Sequence, residues 1–300
     1  MKPIAFLVDK PEGMGSTDVV RQFKRNLPKP FKKIGHFGTL DPFATGLLII
    51  GVNGSQRLSD YVHADYKKVY RAVGLFGVHS DTGDKTGSLE QKHSDAEIQK
   101  SFEEFDKEEL EKKWFEQFSH EYFQRPPAFS AAKHKGKNLY EYAREGVIIE
   151  KEKVRREVLD FKILKWDLPR IEFEVTVGIG TYIRVLFEDM AKAVGSVGHL
   201  EQLRRVSIGP HLVEKACDLE LWPKDSLSPE ELYLGQEIVL NNPDNEKKYR
   251  NGMKLRATDC ASHLSDNEHG WVKSPSGELL GLARRVGNDL LVLFNFPQNS

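Results

Sequence analysis

Three hundred residues suffice for one large domain or two smaller ones with a true hydrophobic core. Apolar residues make up 39% and charged residues 30%, the balance of an ordinary soluble protein, and no apolar run approaches the length of a membrane span. A formal net charge of −1 excludes a uniformly basic nucleic-acid binder, so an RNA ligand would require positive charge gathered on one face.

The chain starts with Met1-Lys2-Pro3-Ile4, which lacks the pattern of a signal peptide. Cys217 and Cys260 lie far apart without metal-ligand spacing, so a reducing, cytoplasmic setting with no zinc is expected. Residues 4–8 read as a short buried strand, ended by Asp9-Lys10-Pro11-Glu12-Gly13. Ser16 or Thr17 is placed to cap a helix whose apolar residues Val19, Val20, Phe23 and Leu27 fall at helical spacing. Lys29, Lys32 and Lys33 form a basic turn, either solvated or in contact with phosphate.

Next comes Gly35-His36-Phe37-Gly38-Thr39-Leu40-Asp41-Pro42-Phe43-Ala44-Thr45-Gly46-Leu47-Leu48. It contains a single carboxylate, Asp41, and the ring of Pro42 forces that residue into an extended conformation. Gly38 and Gly46 permit close approach of backbone or ligand. The apolar run Leu47-Leu48-Ile49-Ile50 then anchors the loop as a buried strand. Taken alone, Asp41-Pro42 could simply start a turn.

A short helix through Leu58, Tyr61 and Val62 follows. Residues 67–77 alternate like a half-buried strand, with Tyr70 on the face opposite Val69 and Val73. Asp84-Lys85-Thr86-Gly87-Ser88 mimics the phosphorylated-aspartate motif of cation-pumping ATPases. Those enzymes need membrane spans and further nucleotide motifs that this chain lacks, so the segment reads as a turn. Residues 95–120 are acidic, and Ile98, Phe102, Phe105, Leu110, Trp114 and Phe118 mark the buried face of one helix or a broken pair. The charge turns basic at Arg125, Lys133, Lys135, Lys137 and Arg144, with Phe129, Tyr140 and Tyr142 interleaved, as a splayed RNA loop demands. Residues 171–177 alternate as a strand. A helix bearing Ile183, Leu186, Phe187, Met190 and Val194 follows, with Arg184 in its first turn, at the positive end of the helix dipole. That placement points to an anionic partner. Beyond Pro223 an Asp/Ser/Pro-rich linker leads to a β-rich unit over residues 230–300.

The segment from Gly35 to Leu48 resembles the active-site motif of the TruB family of tRNA pseudouridine synthases. Lys10-Pro11-Glu12-Gly13-Met14-Gly15-Ser16, Lys68-Val69-Tyr70, the segment around Pro126-Pro127-Ala128-Phe129-Ser130-Ala131, Gly180-Thr181-Tyr182-Ile183-Arg184 and Leu203-Arg204-Arg205 resemble further motifs of that family. The resemblance implies an α+β fold with a mixed, mainly antiparallel sheet and flanking helices over residues 1–226. It also implies a small β-rich, PUA-like RNA-binding domain over residues 227–300. Asp41 is then the nucleophile, Arg184 its charge partner, lowering its pKa by about 1–3 units, and Tyr70 the ring that stacks on the target base. Substrate contacts are implied at His36, Gly38, Thr39, Lys10, Tyr182, Lys133 and Leu203. The implied reaction isomerises the T-loop uridine of tRNA, position 55, without metal or cofactor and after base flipping. A monomer that binds the T stem-loop and no membrane is expected. Two departures stand out: Phe129 occupies a family Tyr position, and Gly178-Ile179 replaces the family's Ser-Lys, so a lysine expected near the site is missing. A tRNA-folding chaperone and a guide-RNA-dependent rRNA pseudouridine synthase are the alternative readings. The lack of a basic tail argues against the guided enzyme.

Overall fold

Strand β1 (Ile4–Lys10) is apolar from Ile4 to Val8 because both of its faces are covered there. On one face Phe6 and Val8 pack against Val19 and Phe23 of helix α1 (Ser16–Asn26); on the other Ala5 and Leu7 meet Leu47 and Ile49. The computed structural model describes residues 2–27, 31, 33–219 and 225–296. Lys29 and Lys32 of the expected basic turn, and the linker's start at Pro223, lie outside these residues.

The chain continues through β2 (Ile34–Phe37), β3 (Thr45–Val52), α2 (Ser59–Asp65) and β4 (Lys68–Phe76). After the helices α3 (Asp95–Phe102) and α4 (Lys107–Ser119) come β5 (Val158–Asp167), β6 (Arg170–Val177), α5 (Ile183–Ala193) and β7 (Gly198–Ile208). The main sheet runs β5-β6-β4-β7-β3-β1, with the short strand Cys217–Asp218 outside β1 and β2 paired to β3. Among the described residues its pairings are antiparallel except β7 with β3 and β1 with Cys217–Asp218. The expected mixed, mainly antiparallel sheet with flanking helices is what the structure has.

Closure of β7 onto β3 depends on Gly46. A Cβ there would stand 2.3 Å from the carbonyl oxygen of Arg205, and its φ of +104° disfavours any other residue. The register pairs Arg204 with Thr45 and Arg205 with Gly46. The Asp41 loop is thereby tied to the end of β7.

Helices α3, α4 and α5 cover one sheet face, where Phe76, Trp114, Phe173 and Phe187 form the centre of the core. The acidic stretch is a pair of helices because each has its own capping box, Ser94 with Glu97 and Asp106 with Glu109. The expected apolar face is present, with Phe105 only partly buried.

Residues after 226 build a six-stranded sheet around β8 (Gln236–Leu240), β9 (His269–Lys273), β10 (Leu279–Val286) and β11 (Asp289–Asn295). This unit has a core of its own around Ile238, Tyr249, Val272 and Leu290. It also shares one with the main sheet: Leu232, Tyr233, Trp271, Leu282 and Phe296 pack with Ala5, Leu7, Leu47, Ile49 and Val62. At the expected boundary, Ala5 and Leu227 exchange backbone hydrogen bonds of 2.9 and 2.8 Å.

Candidate active site

The loop carrying Asp41 is braced from an earlier part of the chain. Ser16 does not cap α1, whose N-cap is Gly15, without a side-chain hydrogen bond. Its hydroxyl instead donates to the Leu40 carbonyl at 3.1 Å and accepts from the Leu40 amide at 2.8 Å. On the far side of Asp41 the Pro42 carbonyl accepts from the Gly13 amide at 2.8 Å and from the Lys10 ammonium at 3.2 Å. Lys10 also donates to the carbonyls of Met14 and Pro11, at 2.6 and 2.9 Å. Lys10 is fully buried, and burial pushes its ammonium down to about 8. Lys10, expected as a substrate contact, braces the loop through these three carbonyls and is not among the residues lining the cavity over Asp41.

Arg184, in the first turn of α5 and 3% exposed, joins two further segments to Asp41. Its Nε lies 2.9 Å from Asp41 Oδ2 and its Nη1 3.6 Å from Asp84 Oδ2. Nη1 also donates to the Thr82 carbonyl at 2.6 Å, and Nη2 to the Phe129 carbonyl at 2.9 Å. Two carboxylates offset the unfavourable helix-dipole position of this cation. Asp84 is itself fixed, accepting from the Thr86 amide and hydroxyl at 2.9 and 2.5 Å and from the Thr82 hydroxyl at 3.1 Å. At Phe129 the contribution to this network is main-chain, so the missing tyrosine hydroxyl leaves it intact.

A cavity of about 310 Å³ opens over Asp41. Thr39, Tyr70, Tyr182, Arg184 and Leu203 line it, as do Lys68, His63, Ser130 and Arg205. Tyr70 packs against the core on the side of Ala72 and Phe76. Tyr182 is held by Gln124, which donates to its carbonyl at 2.9 Å and accepts from its amide at 2.7 Å. Arg205 donates to the carbonyls of Leu47 at 2.8 Å and Gly38 at 3.2 Å; Gly38 itself is not among the cavity-lining residues and sits behind Arg205. Lys68 donates to the carbonyls of His63 and Tyr66 at 2.7 and 2.5 Å, and burial pushes it down to about 8. Burial, aided by Lys68, pushes the His63 imidazole down to about 4.

Asp41 departs from expectation in one respect. Its carboxyl is held above the usual carboxylate range, chiefly by burial, with Arg184 pulling it back and Asp84 adding to the rise. Arg184 does lower it, as expected, but desolvation by the loop is the larger effect. About a third of the side chain, 32%, stays open to the cavity.

Two further expected contacts lie elsewhere. His36, on β2, is not among the cavity-lining residues; its Nδ1 is buried without a partner among the described residues, and burial holds the ring below its ordinary pKa. Lys133 is exposed on the strand Lys133–His134, outside the cavity, though Ala131 and Ala132 beside it reach the wall. Sequence reasoning missed Asp84, His63, Lys68 and Arg205 as parts of the site. Lys68 and Arg205 lay within quoted motifs, so their signal was available; Asp84 was set aside with its turn.

Comparison with known proteins follows the same lines. Residues 24–183 match the TruB family pseudouridylate synthase N-terminal domain. A protein of Caldicellulosiruptor saccharolyticus called tRNA pseudouridine synthase B is 37% identical over 253 residues, 84% of this chain and 83% of that protein. Its namesake in Psychrobacter cryohalolentis is 40% identical over 225 residues, 72% of this chain and 60% of the other. Among solved structures, a Cbf5–Nop10–Gar1 complex matches with a TM-score of 0.68 at 21% identity, covering 98% of this chain and 85% of that one, a likeness of fold. Motifs, fold and relatives agree: the chain belongs to the TruB family of pseudouridylate synthases.

Proposed function

We propose that this protein isomerises uridine to pseudouridine in tRNA, at position 55 of the T-loop, with Asp41 as nucleophile. The carrying observation is the 2.9 Å contact between Arg184 and a part-exposed Asp41 at the floor of a cavity that Tyr70 lines. The names of the relatives support tRNA as the substrate. The target base is flipped out of the folded loop and stacks on Tyr70, and Asp41 attacks the nucleotide covalently. The C1′–N1 bond breaks, the base turns, a C1′–C5 bond forms and the bond to Asp41 is released; C5 loses its proton and N1 gains one, so atoms balance without redox change and the carboxylate is regenerated. Arg184 keeps the carboxylate oriented and offsets part of its burial. Thr39, Tyr182 and Leu203 shape the base pocket, and Lys133 meets phosphate outside it.

The proposed enzyme works as a cytoplasmic monomer on the T stem-loop. Residues 1–226 form the synthase domain, and residues 227–300 a PUA-like domain that extends the RNA surface. Purified protein incubated with an unmodified tRNA transcript labelled with tritium at uridine C5 tests the reading. Tritium release at position 55 without any guide RNA is the expected result. Binding without release would leave a tRNA chaperone, and release only with a guide RNA would make the protein a guided enzyme.

A further inference from the structure

The loop Gly178-Ile179-Gly180-Thr181 forms part of the cavity wall. It rests on a two-stranded ribbon in which Val154–Arg156 pairs with Tyr122–Gln124. The ribbon grips it at both ends: the Gly178 amide donates to the Glu157 carbonyl at 2.9 Å, and Gln124 clamps Tyr182. Between these grips lies the Arg156 guanidinium. Its Cζ, Nη2 and Nη1 would stand 3.2, 3.3 and 3.4 Å from a Cβ built on Gly180. Near-equal distances mean that the flat face of the guanidinium covers the glycine, leaving its edges for hydrogen bonding.

Those edges are largely unused. Among the described residues no carboxylate lies within 4.0 Å of Arg156, its Nε is buried without a partner, and its one hydrogen bond is a long 3.4 Å contact to the Arg155 carbonyl. Three cations of the surrounding segments are committed, Lys67 to Glu157 at 3.1 Å, Arg125 to Glu150 at 2.5 Å and Lys137 to Glu145 at 2.6 Å. The adjacent Arg155 has no carboxylate partner among the described residues but is solvent-exposed, whereas Arg156 has a buried, unpartnered Nε against the cavity loop. A guanidinium carries five donors in a planar fork suited to phosphate. Leaving such donors partly desolvated and unpaired costs free energy that an anion would recover.

We propose that Arg156 is a phosphate-binding residue at the rim of the Asp41 cavity, gripping the backbone of the RNA strand whose base enters it. A Cβ at residue 178 would come within 2.8 Å of the Glu157 carboxylate, so glycine there lets the cavity loop lie close against the segment that carries Arg156. This rests on the reading of the cavity as a nucleotide site, but the test reads binding, so it stands apart from turnover.

Affinity for an unmodified tRNA transcript is measured for wild type, Arg156→Gln and Arg156→Lys as a function of salt. Losing one phosphate contact is expected to raise Kd about five- to eightfold at 0.1 M salt and to lower the slope of log affinity against log salt by about one. Arg156→Lys keeps the slope, and turnover at saturating tRNA is unchanged in both variants. Arg155→Gln, altering the exposed neighbour, is the control and changes the slope less. Ile179→Lys added to Arg156→Gln restores the slope, since residue 179 is 48% exposed on the same loop. An unchanged slope in Arg156→Gln overturns the proposal. So does an equal loss in Arg155→Gln, which would mean diffuse charge, or a fall in turnover at constant affinity, which would make Arg156 a loop brace. If wild type binds tRNA but forms no pseudouridine, the functional reading fails while the salt slopes still decide for or against Arg156.

Discussion

Arg184→Lys isolates what the planar fork contributes while keeping its charge. The native guanidinium faces four acceptors at once: Asp41 at 2.9 Å, the carbonyls of Thr82 and Phe129 at 2.6 and 2.9 Å, and Asp84 at 3.6 Å. An ammonium on a lysine stem is a compact charge and cannot span three directions in one plane. If it follows the nearer carboxylate, two carbonyls and Asp84 lose their donor inside a site where the side chain is 3% exposed. Each lost hydrogen bond to a charged group is worth about 1.5–3 kcal/mol, and breaking a buried pair costs about 3–5 kcal/mol. Misplacement of Asp41 by that amount corresponds to a fall in turnover of about two to four powers of ten. Single-turnover tritium release at saturating tRNA, with affinity measured separately, is the assay. Kd is expected to hold within about threefold, a shift below 1 kcal/mol. Normal turnover with weakened binding would refute the reasoning and make Arg184 a phosphate contact.

Asp41→Asn is expected to lower pseudouridine formation by about four to six powers of ten while tRNA binding persists; a tenth of wild-type activity would remove Asp41 as nucleophile. Because the Asp41 carboxyl is held above its ordinary range, the rate is expected to fall with acidification at a midpoint above the usual aspartate value, and a limb at or below that value would contradict it. The sign for stability is opposite: a raised folded pKa means that ionisation costs the native state as pH rises through it, so Asp41→Asn at pH 7 should unfold no lower than wild type in a calorimetric scan. Lys133→Gln is expected to flatten the salt dependence of binding more than Lys137→Gln, since Lys137 is held by Glu145 and lies over the Tyr142 ring. Deleting residues 227–300 strips Tyr233, Trp271, Leu282 and Phe296 from the shared core, each worth about 1.5–3 kcal/mol when buried, so the shortened chain should melt well below the full one; an unchanged melting point would make the two units independent.

Much of the fold was legible because its signals are local. The alternation of residues 171–177, the uninterrupted apolar run after Asp41 and the spacing of Ile183, Leu186, Phe187 and Met190 each report one element and its buried face. Asp41, Arg184 and Tyr70 were legible through motifs, and the structure brings all three to one cavity. What stayed hidden depends on contacts distant in sequence. Ser16 looks like a helix cap because Ser commonly caps, yet its hydroxyl is claimed by Leu40, 24 residues on. Lys10 looks like a cation for RNA because nothing in sequence says that three carbonyls converge on it. The direction of the Asp41 shift could not be read from its charge partner alone, since desolvation is a property of the assembled loop. The sharing of a core across the boundary near residue 226 likewise has no signature in either half.

The bracing of the Asp41 loop assigns the motion in the proposed reaction. Leu40 is locked by Ser16, Pro42 by Gly13 and Lys10, and the carboxylate itself by Arg184. A nucleophile fastened on three sides cannot follow a departing ring. The freed uracil must therefore do the turning, inside a chamber of about 310 Å³ that is generous for one pyrimidine. On this view the rigid part is the enzyme and the moving part the substrate. Substitutions that loosen Ser16 or Lys10 would blur the point at which C5 meets the sugar without touching the nucleotide.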